Sequence, residues 1–140
     1  RLVGSEMCIR DRLTREYAAG FHEYQLSLPK GAIDDHESAV VAGARELAEE
    51  VGFGANDVEF VKTLTVAPGH MGYEISVVFA TGLYPNELEG DEPEPIELIK
   101  WPLSELDSLI ESGDFREGRA IAALAVCMSR IKNVKSRTSV

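Results

Sequence analysis

Disulfide chemistry is the first thing this sequence lacks. Two cysteines, Cys8 and Cys127, in 140 residues are too few for the cross-linked framework of a small extracellular domain, so a reducing cytoplasm is the expected setting. Cys127 falls on a late helical segment and reads as a packing residue. Positive charge is scarce too: 14 Lys and Arg stand against 24 Asp and Glu, a formal net charge of −10. Such a chain offers no general basic surface for nucleic acid, and it repels a phosphate ester unless a cation intervenes. No apolar run reaches the ~18 residues of a membrane span. The opening residues show neither the apolar stretch nor the small-residue cleavage site of a signal peptide.

What is present is the composition of one globular domain, 44% hydrophobic and 27% charged, with enough chain for a modest core. The first dozen residues, RLVGSEMCIRDR, stand apart. They do not begin with Met, show no clean helix or strand period, and resemble translated sequencing-adapter sequence. Residues 1–12 are therefore expected to be non-native, leaving 13–140 as a domain truncated at its N-terminus.

Periodicity lays out the rest. Residues 23–29 alternate and end at Pro29, a short strand. The stretch KGAIDDHES is turn chemistry. Ser38 caps a helix over residues 39–51, stopped by Gly52. Residues 58–66 and 73–83 are strands rich in β-branched residues, joined by a loop, and residues 84–95 form an acidic, proline-broken loop. A last strand over 96–101 precedes a helix over 105–112, capped by Ser104. A second helix covers 116–132, with an apolar stripe through Ile121, Leu124, Ala125 and Met128, and the tail beyond it is expected to fray. Strands interleaved with two or three helices imply a mixed α/β layer fold.

The helix over 39–51 carries the chemistry. Val40, Ala44, Leu47 and Val51 share one side and face the core. Glu46, Glu49 and Glu50 share another, although like charges at i,i+4 destabilise a helix. Three carboxylates on a rigid helix suit a hard divalent cation, which takes oxygen ligands. Glu-rich helix faces are usually only solvated, so the wider pattern decides. Gly43 in mid-helix, a position that favours Ala by about 1 kcal/mol, points to a close backbone neighbour.

From Gly31 to Phe53 the chain reads GAIDDHESAVVAGARELAEEVGF. Gly31, Glu37, Arg45, Glu46, Leu47, Glu49, Glu50 and Gly52 fall on the fixed positions of the Nudix signature, with Phe53 in the final apolar slot. Chance gives such a match with odds on the order of 10⁻⁹ per window. The segment thus resembles the Nudix hydrolases. That resemblance implies an α/β/α fold, a mixed β-sheet sandwiched between α-helices, here with its N-terminal strands missing. It implies Mg²⁺ or Mn²⁺ held by Glu46, Glu49, Glu50 and the Gly31 carbonyl, with Glu49 and Glu50 catalytic. It also implies a structural salt bridge between Glu37 and Arg45. His36 replaces the glycine usual before Glu37, at a turn that wants positive φ; it reads as a turn residue. His22 and His70 read as surface or loop histidines.

Two further stretches resemble the ADP-ribose-hydrolysing subgroup. Pro68 follows Phe53 by the 15 residues of that subgroup's specificity marker. Glu92 and Glu94 have the spacing of its loop glutamates, one a metal ligand and one a base for water. The match from about Arg15 to Lys132 resembles the ADP-compounds hydrolases within it. This implies cleavage of ADP-ribose, diadenosine di- and triphosphates and NADH with release of AMP, by a homodimer. The alternatives are another sugar nucleotide or dinucleoside polyphosphate as substrate, or a nucleotide-binding fragment with impaired catalysis.

Overall fold

The computed structural model describes the backbone of residues 2–9 and 12–138, and the side chains of residues 12–134. Its elements in chain order are β1 (Leu2–Ile9), β2 (Arg12–Ala18), β3 (Glu23–Ser27), β4 (Lys30–Ala32), α1 (Ala39–Glu46), β5 (Phe53–Val66), β6 (Tyr73–Pro85), β7 (Glu97–Lys100), α2 (Leu106–Glu111) and α3 (Gly118–Thr138). A π-helical turn over Leu47–Val51 continues α1, and a 3₁₀ turn over Leu103–Glu105 leads into α2.

Six consecutive buried residues, Ile75 to Ala80, mark β6 as the centre of the molecule, because only a strand covered on both faces loses its polar alternation. Ile75, Val77 and Phe79 pack into a core with Leu13, Leu28, Leu109, Phe115 and the α3 residues Ala123, Leu124 and Cys127. Val78 and Ala80 pack on the opposite side with Leu47 and Val51. The mixed four-stranded sheet runs β4-β1-β6-β5, and a separate antiparallel sheet runs β3-β2-β7. Helices on the two faces of the larger sheet give the expected sandwich, with its strands divided between two sheets rather than one.

Several expectations need correction. Residues 1–12 show no strand period in sequence, yet the backbone of Leu2–Ile9 forms β1, parallel to β6 over eight residue pairs and antiparallel to β4. The physical reason is that β4 and β6 each present an edge of unpaired backbone groups, and an extended segment between them satisfies both. Ser104 caps no helix: Pro102, at φ −62°, opens the 3₁₀ turn, and α2 starts without a side-chain cap. On α3 the buried stripe is Ala120, Ala123, Leu124, Cys127 and Ile131. Ile121 and Met128 are only partly buried and Ala125 is exposed. The helix is thus rotated by about one position, its small alanines against the sheet. Its backbone also stays helical to Thr138 rather than fraying.

On α1, Leu47 and Val51 are buried as expected, while Val40 and Ala44 are only partly covered. Ser38 caps the helix, its side chain accepting a bond from the Val41 amide, and Gly52 ends it at φ +76°. His36 has φ +73°, as the turn requires. The Lys30–Ala32 strand was hidden from sequence reading by its turn-like residues.

Candidate active site

The π-helical turn is the pivot of the site. In an α-helix the Gly52 amide would bond to the Ala48 carbonyl; here it bonds to Leu47, one residue further back. The freed Ala48 carbonyl accepts the Leu88 amide at 3.1 Å, and the Gly52 carbonyl accepts the Asn86 amide at 3.0 Å. The acidic loop after β6 is thereby fastened to the end of the glutamate-bearing helix. Gly90 then passes close over the Glu49 carbonyl, near enough that a Cβ would lie 3.4 Å from it.

The three helical glutamates have different partners. Arg45 divides them. Its Nε and Nη2 donate to the two Glu37 oxygens, each at 2.9 Å, and Nη1 donates to Glu46 at 3.0 Å and Glu49 at 3.1 Å. Nη2 also donates to the Ala32 carbonyl at 3.0 Å. The guanidinium holds Glu37 down to a pKa of about 2, helped by the Asp34 amide, and is itself raised in pKa by Glu37. Glu46 is buried against Gly31, whose missing side chain makes room: any Cβ there would overlap the Glu46 carboxylate. Burial pushes Glu46 up to about 7, against the opposing pull of Arg45.

Glu50 turns the other way. Its Oε2 accepts the Lys30 amide at 3.0 Å, and its carboxylate meets those of Glu16 and Glu92, with one oxygen from each lying within 4.8 Å of the others. Burial, then the nearby Glu16, push Glu50 up to about 8. Burial and the neighbouring Glu16 and Asp91 also raise Glu92. Lys30 Nζ and Thr14 Oγ1 donate to Glu16 Oε2 at 2.8 and 2.9 Å. Beside this trio lies a cleft of about 640 Å³, lined by Lys30, Gly31, Arg45, Glu46, Glu49 and Glu92 among others.

Glu16 is the residue that sequence reading missed. It sits on β2 in a REYA stretch with no metal-site spacing, and only the approach of its carboxylate to Glu50 and Glu92 reveals it. Glu94 stands outside the trio, its two oxygens accepting the Tyr24 hydroxyl at 3.0 and 3.3 Å. Pro68 is exposed in the turn between β5 and β6, at the far end of that hairpin from the Gly52–Asn86 contact, and does not line the cleft.

The profile of the NUDIX domain matches residues 10–124. The chain belongs to the Nudix family. Among curated relatives of this Nudix chain, the ADP compounds hydrolase NudE of Escherichia coli K12 is 48% identical over 120 residues, 86% of this chain and 64% of that protein. The chain therefore spans less than two thirds of the NudE length. An uncharacterized Nudix hydrolase, NudL of Escherichia fergusonii, is 32% identical over 87 residues, covering 60% of this chain and 44% of the relative. A crystal structure of an ADP compounds hydrolase superposes with a TM-score of 0.85 at 44% identity, over 94% of this chain and 72% of that one. No helix among the described residues is long and apolar enough to cross a membrane, which leaves β-barrels unaddressed.

Proposed function

We propose that this Nudix chain hydrolyses the diphosphate linkage of ADP-linked compounds such as ADP-ribose, diadenosine di- and triphosphates and NADH, releasing AMP, with Mg²⁺ or Mn²⁺ as cofactor. The observation that carries the reading is the convergence of Glu16, Glu50 and Glu92 beside an open cleft. The similarity to NudE supplies the substrate class. Three carboxylates this close, with Glu50 raised in pKa by burial and Glu16, are crowded donors whose repulsion a hard divalent cation relieves. Glu50 and Glu16 would hold it, with Glu46, Glu49 and the Gly31 carbonyl available around the cleft for further coordination. A bound divalent cation supplies Lewis-acid polarisation and neutralises the diphosphate's charge.

The chain's own residues do the rest. Lys30 and Arg45 are the two cations lining a cleft otherwise rich in carboxylates. Arg45 locks Glu37, Glu46 and Glu49 in place, and Lys30 fixes Glu16. Glu92, raised in pKa, is the group suited to accept the proton of an attacking water. Water adds to one phosphorus, the P–O–P bridge breaks, and the bridging electron pair leaves with the departing phosphate. The proposal includes a homodimer and a cytoplasmic setting, the former tested by light scattering.

The test is AMP release from ADP-ribose, diadenosine triphosphate and NADH with Mg²⁺ or Mn²⁺, by this chain and by a version extended at its N-terminus to the NudE length. Glu50→Gln is expected to abolish turnover while leaving the fold intact. Near-full activity in that variant would remove Glu50 from the centre of the site, and no AMP from any substrate with either version would reject the hydrolase reading.

A further inference from the structure

We infer that Tyr24 is a positioning residue: through Glu94 it latches the acidic loop so that Glu92 stays against Glu16 and Glu50. The inference rests on the hydrolase reading above for its effect on rate, though the latch itself is a structural claim.

Residues 86–96 have no regular structure, yet Glu92 must hold one place within them. The loop is pinned at its start by the Asn86 and Leu88 amides on the π-helical turn. Past Glu92 the chain is broken by Pro93 and Pro95, neither of which has an amide to donate. The side chain of Glu94 supplies the second anchor, taking the Tyr24 hydroxyl from a residue 70 positions away in sequence. Tyr24 stands on β3, paired with Tyr17 of β2, and the two rings meet edge-on at 5.4 Å. Glu16, the partner that Glu92 must reach, is the next residue along β2. The phenol therefore ties the loop to the strand pair that carries Glu16. Prolines on both sides of Glu94 stiffen the link from that anchor back to Glu92. This geometry gives Glu94 a task other than proton transfer.

Tyr24 is largely exposed and its ring remains in Tyr24→Phe, so the variant removes the hydroxyl and little else. Two readouts separate the claims. Backbone ¹⁵N order parameters at Gly90, Asp91 and Glu92 read the latch without reference to activity. They are expected to fall from roughly 0.85 to below about 0.6 in Tyr24→Phe and Glu94→Ala. They are expected to hold in Glu94→Gln, whose amide oxygen still accepts the phenol. In turnover of ADP-ribose, Tyr24→Phe is expected to lower kcat roughly tenfold, since small misplacements are costly at a reacting centre, with KM little changed. In a Glu92→Gln background the same substitution is expected to have no further effect on the residual rate.

Unchanged order parameters in Tyr24→Phe would overturn the latch. A looser loop with wild-type kcat would overturn the positioning role, as would an equal loss of rate in the Glu92→Gln background. If the wild type releases no AMP, the hydrolase reading fails, and the order parameters alone then uphold or overturn the latch.

Discussion

Glu50 is expected to make the stability of the metal-free protein fall as pH rises. An ordinary glutamate has a pKa of 4.5, and burial and Glu16 raise Glu50 to about 8 in the folded chain. Between those values the folded state binds one proton that the unfolded state has released, so stability drops with increasing pH. The slope is about 1.36 kcal/mol per pH unit for one proton. From about pH 5.5 to 7, Glu50 alone removes roughly 2 kcal/mol. Glu46, raised to about 7, adds in the same direction over the lower part of that window. Glu37 does not interfere, because its depressed pKa of about 2 confines its contribution to more acid solution. A divalent cation that binds the ionised carboxylates of the folded state counteracts the loss. The assay is urea unfolding across this range, with chelator and with saturating Mg²⁺, for the wild type and Glu50→Gln. The wild type in chelator is expected to weaken toward pH 7, with the slope reduced by about one proton in Glu50→Gln and offset by Mg²⁺. Equal slopes in the two proteins, or wild-type stability that rises with pH, would refute the description of Glu50 as a buried, like-charge-crowded acid.

Gly31→Ala is expected to lower stability by roughly 1–3 kcal/mol, the usual range for overpacking, because the new methyl meets the Glu46 carboxylate; a wild-type melting temperature would contradict that contact. Arg45→Lys keeps the charge but loses the fork that spans Glu37, Glu46 and Glu49. It is expected to weaken Mn²⁺ binding at least roughly tenfold by calorimetry, as loss of a supporting shell does. Acid unfolding is expected to draw on Glu37: its ionised form stabilises above 4.5, and that stability is lost as pH falls through about 2. Glu37→Gln should lack this part of the acid transition.

The local chemistry of the site was legible in the sequence, and its tertiary additions were not. Ser38 and Gly52 each declare a backbone geometry through residue type, and the signature positions Gly31, Glu37 and Arg45 mark the rest, so the loop and helix around Arg45 could be read directly. Membership of the Nudix family followed from the same residues. The division of the three glutamates could not be read, because it depends on where one guanidinium reaches and on a slipped hydrogen bond in the helix. Glu16 was invisible for a related reason: a single carboxylate on a strand acquires meaning only from what lies beside it. The rotation of α3 also escaped, since alanine and isoleucine are equally apolar to a periodicity count, and it is packing that chooses which faces inward.

The slipped bond between Gly52 and Leu47 bears on which lengths of helix the site tolerates. A π-helical turn holds one more residue than the α turn it replaces, so deleting any residue within Leu47–Val51 would let the helix heal into regular α geometry. The healed helix would keep the Gly52–Leu47 bond as an ordinary α-helical one and turn the remaining glutamates to a new azimuth. Insertions and deletions in this stretch would shift Glu49 and Glu50 relative to Arg45, whatever the residue removed or added. The count of residues between Arg45 and Gly52 therefore sets the angle at which Glu49 and Glu50 leave the helix, as firmly as their own side chains do.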